Sequence, residues 1–535
     1  MSRPPHDQRS PGGDWLADAE TEIVMLPGVG GGHPQDDLSH APTARLNPSE
    51  VLAQRNVQPA AVPAEPATVP AEPATVPAEP ATVPAEPATV PAEETTPDPQ
   101  AAGRHRGPGL LAELTSAVRA FVEGLRSDPD QRIVVVLAGL VASLGLAPIA
   151  LAPSEVVIYS GVATGTPMLY TYTIAIAVAV VVIGIQSRRQ LARALFPWVP
   201  FFGWMLLFAV LAWDSSLRTV SGLVHFSLVA IVFAIGVGAE RADRRNSVLL
   251  WAFAAVAWLQ LFAITMAVIG FPLRRIAGQQ ALDVLGRATG LTSHPGELAK
   301  LLFFCGMCAL TLPQKTVRQR WVAWSTLGAV FLGLSLTQSR SVLAAVVSMI
   351  LILVVLEFVT GRWQKKYFVV LGITGLLGLV SVPWLIKRFT ADPEGGDRGH
   401  LLQVAFDVIR EHPWAGVGPN SYVAIAGASD PLTASGVPVH NVLLLSAAEL
   451  GIIGALLLWL PFAMTAASAI HAVFRVRTSD LAPRVLVSAL PGLVLTGMTG
   501  WGLMQGPYFL MLALIFGYFY ARSRHVRVVD GYGRD

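Results

Sequence analysis

Residues 341–359 read SVLAAVVSMILILVVLEFV, and residues 360–366 follow at once as TGRWQKK. A helix of that apolar length reaches about 28 Å at ~1.5 Å per residue, close to the ~30 Å of a bilayer's hydrocarbon core. Its one charge, Glu357, lies next to the basic cluster that ends it. Such a cluster marks a cytoplasmic loop under the positive-inside rule. The same alternation repeats along the chain. Apolar stretches of spanning length are read at 132–150, 168–186, 195–213, 223–239, 247–270, 298–313, 321–338, 341–359, 367–386, 441–465, 485–501 and 505–521. The fold predicted is an all-α polytopic membrane protein of about twelve transmembrane helices. Composition agrees: of 535 residues 53% are hydrophobic and 14% charged, and mean hydropathy is +0.53. A soluble domain carries about a quarter charged residues.

The connecting segments set the sidedness. One alternate set reads SRRQLAR (187–193), ERADRRN (240–246), QKTVRQR (314–320), TGRWQKK (360–366), HAVFRVRTSDLAPR (471–484) and ARSRHVR (521–527), each with at least three Arg or Lys. The opposite set includes 151–167 and 502–506, with no basic residue, and 214–222 with only Arg218. The first set is therefore expected in the cytoplasm, together with both termini. A net charge of +2 gives no reason to expect nucleic acid as a partner. Cys305 and Cys308 fall within an apolar run, where packing is the expected role and no disulfide framework or metal knuckle is available.

Residues 1–108 are read as a disordered cytoplasmic tail. Pro, Glu, Ala and Thr dominate, and four AEPATVP units run from Ala64 to Pro91. Two prolines in every seven residues exclude a helix, and too little apolar surface is present to offset chain entropy. A spacer and a docking tract for a partner both fit this composition. The start of the chain has no apolar core of signal-sequence type, so the first span near Ile133 is expected to direct insertion. In 109–128, Leu110, Leu111, Leu114, Val118, Phe121, Val122 and Leu125 share one helical face, predicting an amphipathic helix at the inner membrane surface or against the bundle. The membrane domain is taken as 132–521 and a cytoplasmic C-terminal tail as 522–535.

Two long outer segments break the charge rule. Phe271–Glu297 and Lys387–His440 both carry arginines on the side where arginines are scarce, and Arg340 sits in a tight outer turn. An anionic substrate at the outer surface would account for them. In the large outer loop before the tenth span, Asp397 reads as a helix N-cap, Leu401, Val404, Ala405 and Val408 form an apolar stripe, and Pro413 ends the helix. This short amphipathic helix would lie over the bundle with Arg398 at its start and His440–Asn441 at the entrance of the next span. Asp392, Asp397 and Asp430 show no DxD spacing, and no metal site is expected.

In this region the chain resembles the O-antigen ligase and polymerase superfamily. The resemblance runs from Arg398 through Leu401, Ala405 and Ile409 to Pro413-Trp414 and Gly416-Val417-Gly418. It continues with His440-Asn441-Val442-Leu443-Leu444 and Glu449-Leu450-Gly451 with Gly454. Upstream, Arg287, Gly290, His294-Pro295 and Thr337-Gln338-Ser339-Arg340 are similar to that pattern, although His294-Pro295 stands where family members often show Pro-Asn. The resemblance implies a metal- and cofactor-independent glycosyltransferase of the plasma (inner) membrane. It would move a glycan from a polyprenyl-diphosphate-linked donor to a glycan or glycolipid acceptor on the non-cytoplasmic face. Arg340 and Arg398, with Arg287, suit the diphosphate, because guanidinium forks take up its charge bidentately. His440 suits the proton of the acceptor hydroxyl or the phosphate itself. Asn441, Lys300, His294 and Glu449 are candidate supporting residues.

Each has a plainer role open to it. Arg340 opens a span and Lys300 lies within a turn of the outer edge, positions from which such chains snorkel to headgroups. Arg398 can bind lipid phosphate. Glu449, two turns into its span, fits pairing with a bundle arginine as well as catalysis. His225, inside the fourth span, reads as a core histidine. Arg274 and Arg275 are adjacent and cannot share a helical face. Two other classes compete with the transferase. A secondary transporter of an anionic substrate fits twelve spans with both termini inside, but the halves show no internal duplication. A scaffold recruiting partners through its tail leaves the outer arginines unexplained.

Overall fold

Asp128 accepts the Asp130 amide at 2.9 Å and Pro129 follows it, and together they start the first helix, α1 (Pro129–Gly145). The computed structural model describes residues 127–146, 155–156, 163–164, 170–243, 247–271, 286–292, 294–362, 397–504 and 506–531, with isolated positions at 123, at 273 and between 368 and 390. The chain divides into two units, Met1–Gly103 and Arg104–Asp535, and every described residue belongs to the second. The expected tail lies outside the described residues, as do almost all of the 109–128 helix, nine of the twenty positions of the 367–386 span, Arg274, Arg275 and Asp392.

After α1 come a two-residue antiparallel ladder, β1 (Glu155–Val156) with β2 (Ala163–Thr164), and then α2 (Thr171–Leu195), a 3₁₀ turn (Phe196–Trp198) and α3 (Val199–Leu211). Next are α4 (Leu217–Asp243), α5 (Val248–Val268), α6 (Pro295–Leu310), α7 (Val317–Thr337) and α8 (Arg340–Val359). The outer-loop segment holds α9 (Arg398–Glu411), α10 (Tyr422–Ala426) and α11 (Pro431–Ala434). The chain closes with α12 (Val442–Phe474), α13 (Leu481–Met498) and α14 (Gly506–Gly531).

Six segments among the described residues are long and apolar enough to cross a membrane: Thr171–Leu211, Leu217–Asp243, Val248–Val268, Arg340–Val359, Val442–Phe474 and Leu481–Met498. The architecture is thus the expected all-α, membrane-type bundle, with six such segments among the described residues. α1, at 17 residues, and α6, at 16, are short for a spanning helix of about 20 residues. α7 begins with Arg318 and Arg320. Exposed Ile185, Leu206, Val210, Leu351, Val355 and Leu456 give the bundle an apolar exterior, as a lipid-facing surface requires. Its interior is aromatic: Trp198 meets Phe201, Phe233 and Phe462 edge-on, and Phe462 stacks on Phe509. α4 and α14 touch backbone to backbone, where Gly517 leaves no room for a Cβ against the Phe233 carbonyl.

The contacts define two ends of the bundle. At one, the Gln186 amide reaches the Pro129 carbonyl at 3.0 Å, Arg362 donates to the carbonyls of Arg477 and Thr478, Arg484 pairs with Glu357, and Arg522 pairs with Asp480 at 2.7 Å. These contacts draw the basic segments 360–366, 471–484 and 521–527 to one place. At the other end, the Trp213 indole donates to Ala415 O at 2.8 Å and Tyr172 lies beside Gly506. Tyr172 and Trp213 share this end while Gln186 sits at the first, so the chain reverses between α2 and α3. The non-helical Ser187 (φ −133°, ψ 33°) and the 3₁₀ turn with Pro197 make the bend.

Candidate active site

α6 begins where His294 caps it. The ring Nδ1 accepts the Gly296 amide at 3.0 Å, Pro295 occupies the first helical position, and the His294 carbonyl takes the Glu297 and Leu298 amides. Lys300, one turn on, is 9% exposed, and among the described residues it makes no hydrogen bond. The Lys300 side chain is thus largely enclosed by protein. Its Nζ stands about 4 Å from where side chains on Gly296 and Gly500 would begin. Glu297 bears on it electrostatically and accepts from Tyr508 of α14 at 3.2 Å.

His440 stands over this turn. Arg398, Lys300 and His294 all bear on its ring with positive charge, and its Nδ1 is buried with no hydrogen-bond partner. Burial is the first reason that the imidazolium is disfavoured; Arg398, Lys300 and His294 add to it, and the Pro438 carbonyl opposes them. Together they depress the His440 pKa to about 4, so the ring is neutral at neutral pH and able to accept a proton. Asn441 serves the backbone instead. Its Oδ1 accepts the Leu443 and Leu444 amides at 3.0 and 3.2 Å, capping α12 and fixing where His440 emerges.

Arg287 and Arg340 form a neighbouring group. The Ala288 amide bonds the Leu336 carbonyl at 3.0 Å, tying the Arg287 segment to the turn that precedes Arg340. Arg340 opens α8, whose other end carries Glu357 in its pair with Arg484, so Arg340 belongs to the His440 end. The Leu291 amide rests on Gln260 of α5 at 2.7 Å, which holds the 286–292 segment in place.

The outer loop is locked to a break in α12. Gly451 adopts φ 72°, ψ 167°, a conformation nearly confined to glycine. The backbone groups freed there turn to the incoming loop. The Val417 amide bonds Ala448 O, the Gly418 amide Glu449 O, and the Ile452 amide Pro413 O, each at 2.9 Å. Irregular backbone within an apolar span is tolerated when neighbouring protein satisfies it in this way. Gly416 (φ 64°) and Gly451 face one another across the contact, with no space for a Cβ on either. The sequence pairing of Pro413-Trp414-Ala415-Gly416-Val417-Gly418 with Glu449-Leu450-Gly451 is this backbone joint. Trp204 donates to Leu450 O at 3.1 Å and reinforces it. Glu449 is buried and bears on the Tyr422 hydroxyl.

α9 starts after Asp397 and ends before Pro413; of its predicted stripe Leu401, Ala405 and Val408 are buried and Val404 is half-buried, while Asp397 holds the cap position without a side-chain bond to the helix. What anchors its start is not legible in that stripe. Asp430 accepts from His400 Nε2 at 2.6 Å, from the Thr433 hydroxyl at 2.6 Å and from the Thr433 amide at 2.8 Å. Burial pushes this carboxyl up, but the bonds from Thr433 and His400 outweigh it and leave it below the ordinary range. Asp430-Pro431-Leu432-Thr433 carries an N-cap signature that would have revealed the capping role, though not the partner. Nothing in the spacing signals the Glu297–Tyr508 bond, which joins positions 211 residues apart. Cys305, Cys308 and His225 are buried in the bundle, as expected. Among the described residues no group of His, Cys, Asp and Glu lies close enough to hold a metal ion.

The fold is that of a polytopic, membrane-type bundle, and at one end Arg398, Lys300 and His294 bring positive charge to His440. Residues 325–459 match the family model described as O-antigen ligase. The match includes Arg340, Arg398, the joint at Gly416 and Gly451, and His440, and it supports placing the chain in the O-antigen ligase-like superfamily. The match supports a glycan-processing membrane protein of ligase or polymerase type. A search of curated proteins finds no match to the chain.

Proposed function

We propose that the protein transfers a glycan from a polyprenyl-diphosphate-linked donor to an acceptor sugar at the non-cytoplasmic face of the plasma membrane, within a topology of twelve spans and two cytoplasmic termini. The carrying observation is the convergence of Arg398, Lys300 and His294 on His440, at the end of the bundle opposite the arginine-rich segments. In this reading the acceptor oxygen attacks the anomeric carbon and the bond from that carbon to the phosphate oxygen breaks. The acceptor proton passes to His440, and the lipid diphosphate departs with the electron pair. Arg398, Arg340 and Arg287 take up its charge by bidentate hydrogen bonds, with Lys300 as a point charge. The neutral ring of His440 is in the protonation state that a general base needs. The Glu449 carbonyl holds the loop by accepting the Gly418 amide.

The test is accumulation of lipid-linked glycan in membranes carrying His440→Ala or Arg398→Ala. Both variants should leave donor unprocessed while the parent consumes it; turnover at the parent's rate in both would overturn the assignment. Sidedness is checked with Ser429→Cys, which should react with a membrane-impermeant thiol reagent from outside, since Cys305 and Cys308 are buried. Labelling that appears only after the membrane is opened would invert the topology. Proton- or sodium-driven uptake into liposomes would point to a transporter instead.

A further inference from the structure

Lys300 is more than nine-tenths buried, lacks a hydrogen bond among the described residues, and faces a first helical turn whose Gly296 leaves space beside its Nζ. The amides of that turn are already engaged, Gly296 by the His294 ring and Glu297 and Leu298 by the His294 carbonyl. An anion arriving here must therefore be held by side chains. Because His294 Nδ1 accepts a backbone N–H, the proton of its neutral ring lies on Nε2, leaving that atom a donor. Glu297, held by Tyr508, supplies the opposing charge that makes a buried ammonium tolerable. Lys300 bears electrostatically on His440, whose Nδ1 is buried and unpartnered.

We propose that Lys300 is the seat for the donor phosphate nearest His440, and that filling it turns His440 from an idle ring into a working base. The inference rests on reading the site as a diphosphate-dependent transferase. The groups facing His440 are Lys300 and His294 from α6, Arg398 from α9 and the Pro438 carbonyl, with Glu297 and Tyr508 acting one step away through Lys300. All the charged groups among those facing the ring are cationic or can become so. A ring crowded by cations is a weak base, since taking a proton adds like charge to like. A diphosphate seated on Lys300 reverses the local sign. It raises the ring's proton affinity as the acceptor hydroxyl needs a base, so the donor must bind before the acceptor is activated.

The probe is inorganic pyrophosphate, added to the full-length protein in phosphatidylethanolamine–phosphatidylglycerol nanodiscs. Diethyl pyrocarbonate acylates neutral imidazole, and mass spectrometry reads the modification rate at His440 against pH. The midpoint of that profile is read rather than its plateau, because shielding by the anion lowers only the plateau. Without pyrophosphate the rate should stay flat from about pH 7 down to about pH 5, as a ring titrating near 4 requires. With saturating pyrophosphate the midpoint should rise by about one unit or more. In Lys300→Met the midpoint should start higher, and pyrophosphate should bind about tenfold more weakly. A parent midpoint that pyrophosphate leaves in place overturns the proposal, and that arm decides even if Lys300→Met fails to fold. Failure of the transferase reading itself looks different: His440→Ala would then process donor normally, whatever the midpoint does.

Discussion

At the arginine-rich end of the bundle, each cation described in contact has a protein acceptor. Arg484 closes on Glu357, Arg522 on Asp480, and Arg362 on two carbonyls of the 471–484 segment. At the His440 end, Lys300 is nearly as buried as Arg484, yet no carboxylate or carbonyl among the described residues bonds it. In the proposed reading, the difference separates charges that serve the fold from one held ready for something that binds. A buried ion pair contributes little net stability relative to an apolar pair, but removing one partner leaves a costly charge behind. A buried ammonium without a hydrogen bond carries that cost all the time, and the cost is relieved when an anion arrives.

The widest effect expected is on turnover at the His440 end. His440→Ala removes the proposed base, and loss of a general base lowers rate by about 10²–10⁴-fold. Single-turnover transfer from membrane-bound donor measures this, with thermal unfolding in detergent expected within about 1 kcal/mol of the parent because the ring is only half-buried. A large loss of stability with full activity per folded molecule would place His440 among the structural groups. Glu357→Gln makes the opposite prediction. It leaves Arg484 buried without its carboxylate and should cost about 3–5 kcal/mol of stability, with transfer per folded molecule unchanged. If Glu357→Gln lowers transfer without lowering the unfolding temperature, the division between the two ends fails.

Gly451→Ala sits between these cases, because the α12 joint is structural but carries the functional loop. The conformation at Gly451 alone costs a non-glycine residue about 1–3 kcal/mol, and a Cβ would also press on the Trp414 carbonyl. Displacing Trp414 would loosen the three backbone bonds that hold 413–418 and shift α9 with Arg398. The variant should lose stability and donor affinity together, read as a lower melting temperature and a higher apparent KM. A change in stability with donor KM unaltered would show that α9 keeps its place without the joint.

This joint also shows how much the chain discloses before it folds. The helices follow from runs such as 341–359, where a membrane-length apolar segment leaves one secondary structure available. The two ends follow from loop charge, and the contacts of Arg362, Arg484 and Arg522 gather basic segments as the charge pattern implies. The glycines of 416–418 and 451 are visible as a pattern, but not as two strands of backbone bonded across 30 or more residues, since nothing local encodes a partner that distant. The same reason hides Glu297–Tyr508 and His400–Asp430. The enclosure of Lys300 is hidden for a different cause: distance from a helix end says nothing of what packs around the side chain, and Gly296 and Gly500 lie beside its Nζ. Asn441 is drawn toward the chemistry in sequence because it adjoins His440, and its cap shows that adjacency and function are separate matters.

The smallest effect belongs to His400, which ties the start of α9 to Asp430 from an exposed position. Its hydrogen bond to Asp430, with that carboxylate's charge, raises the pKa of His400 above the ordinary histidine range. The sign follows from linkage: a raised histidine contributes its bond fully below about pH 6.5 and loses it as pH climbs through the raised value. Asp430, held low, keeps its charge until the solution is well into the acid range. The anchor is therefore charged on both sides in mildly acidic solution and weakens toward alkaline pH. α9 then gains freedom at Arg398, two residues away, and the apparent KM for donor should rise by about two- to threefold across that titration. In His400→Ala the KM should sit at the alkaline value throughout and lose that part of its pH dependence, with the rate at saturating donor unchanged. A KM profile that His400→Ala leaves untouched would show that the backbone joint alone positions α9, and that the two anchors of the loop differ in kind as the two ends of the bundle do.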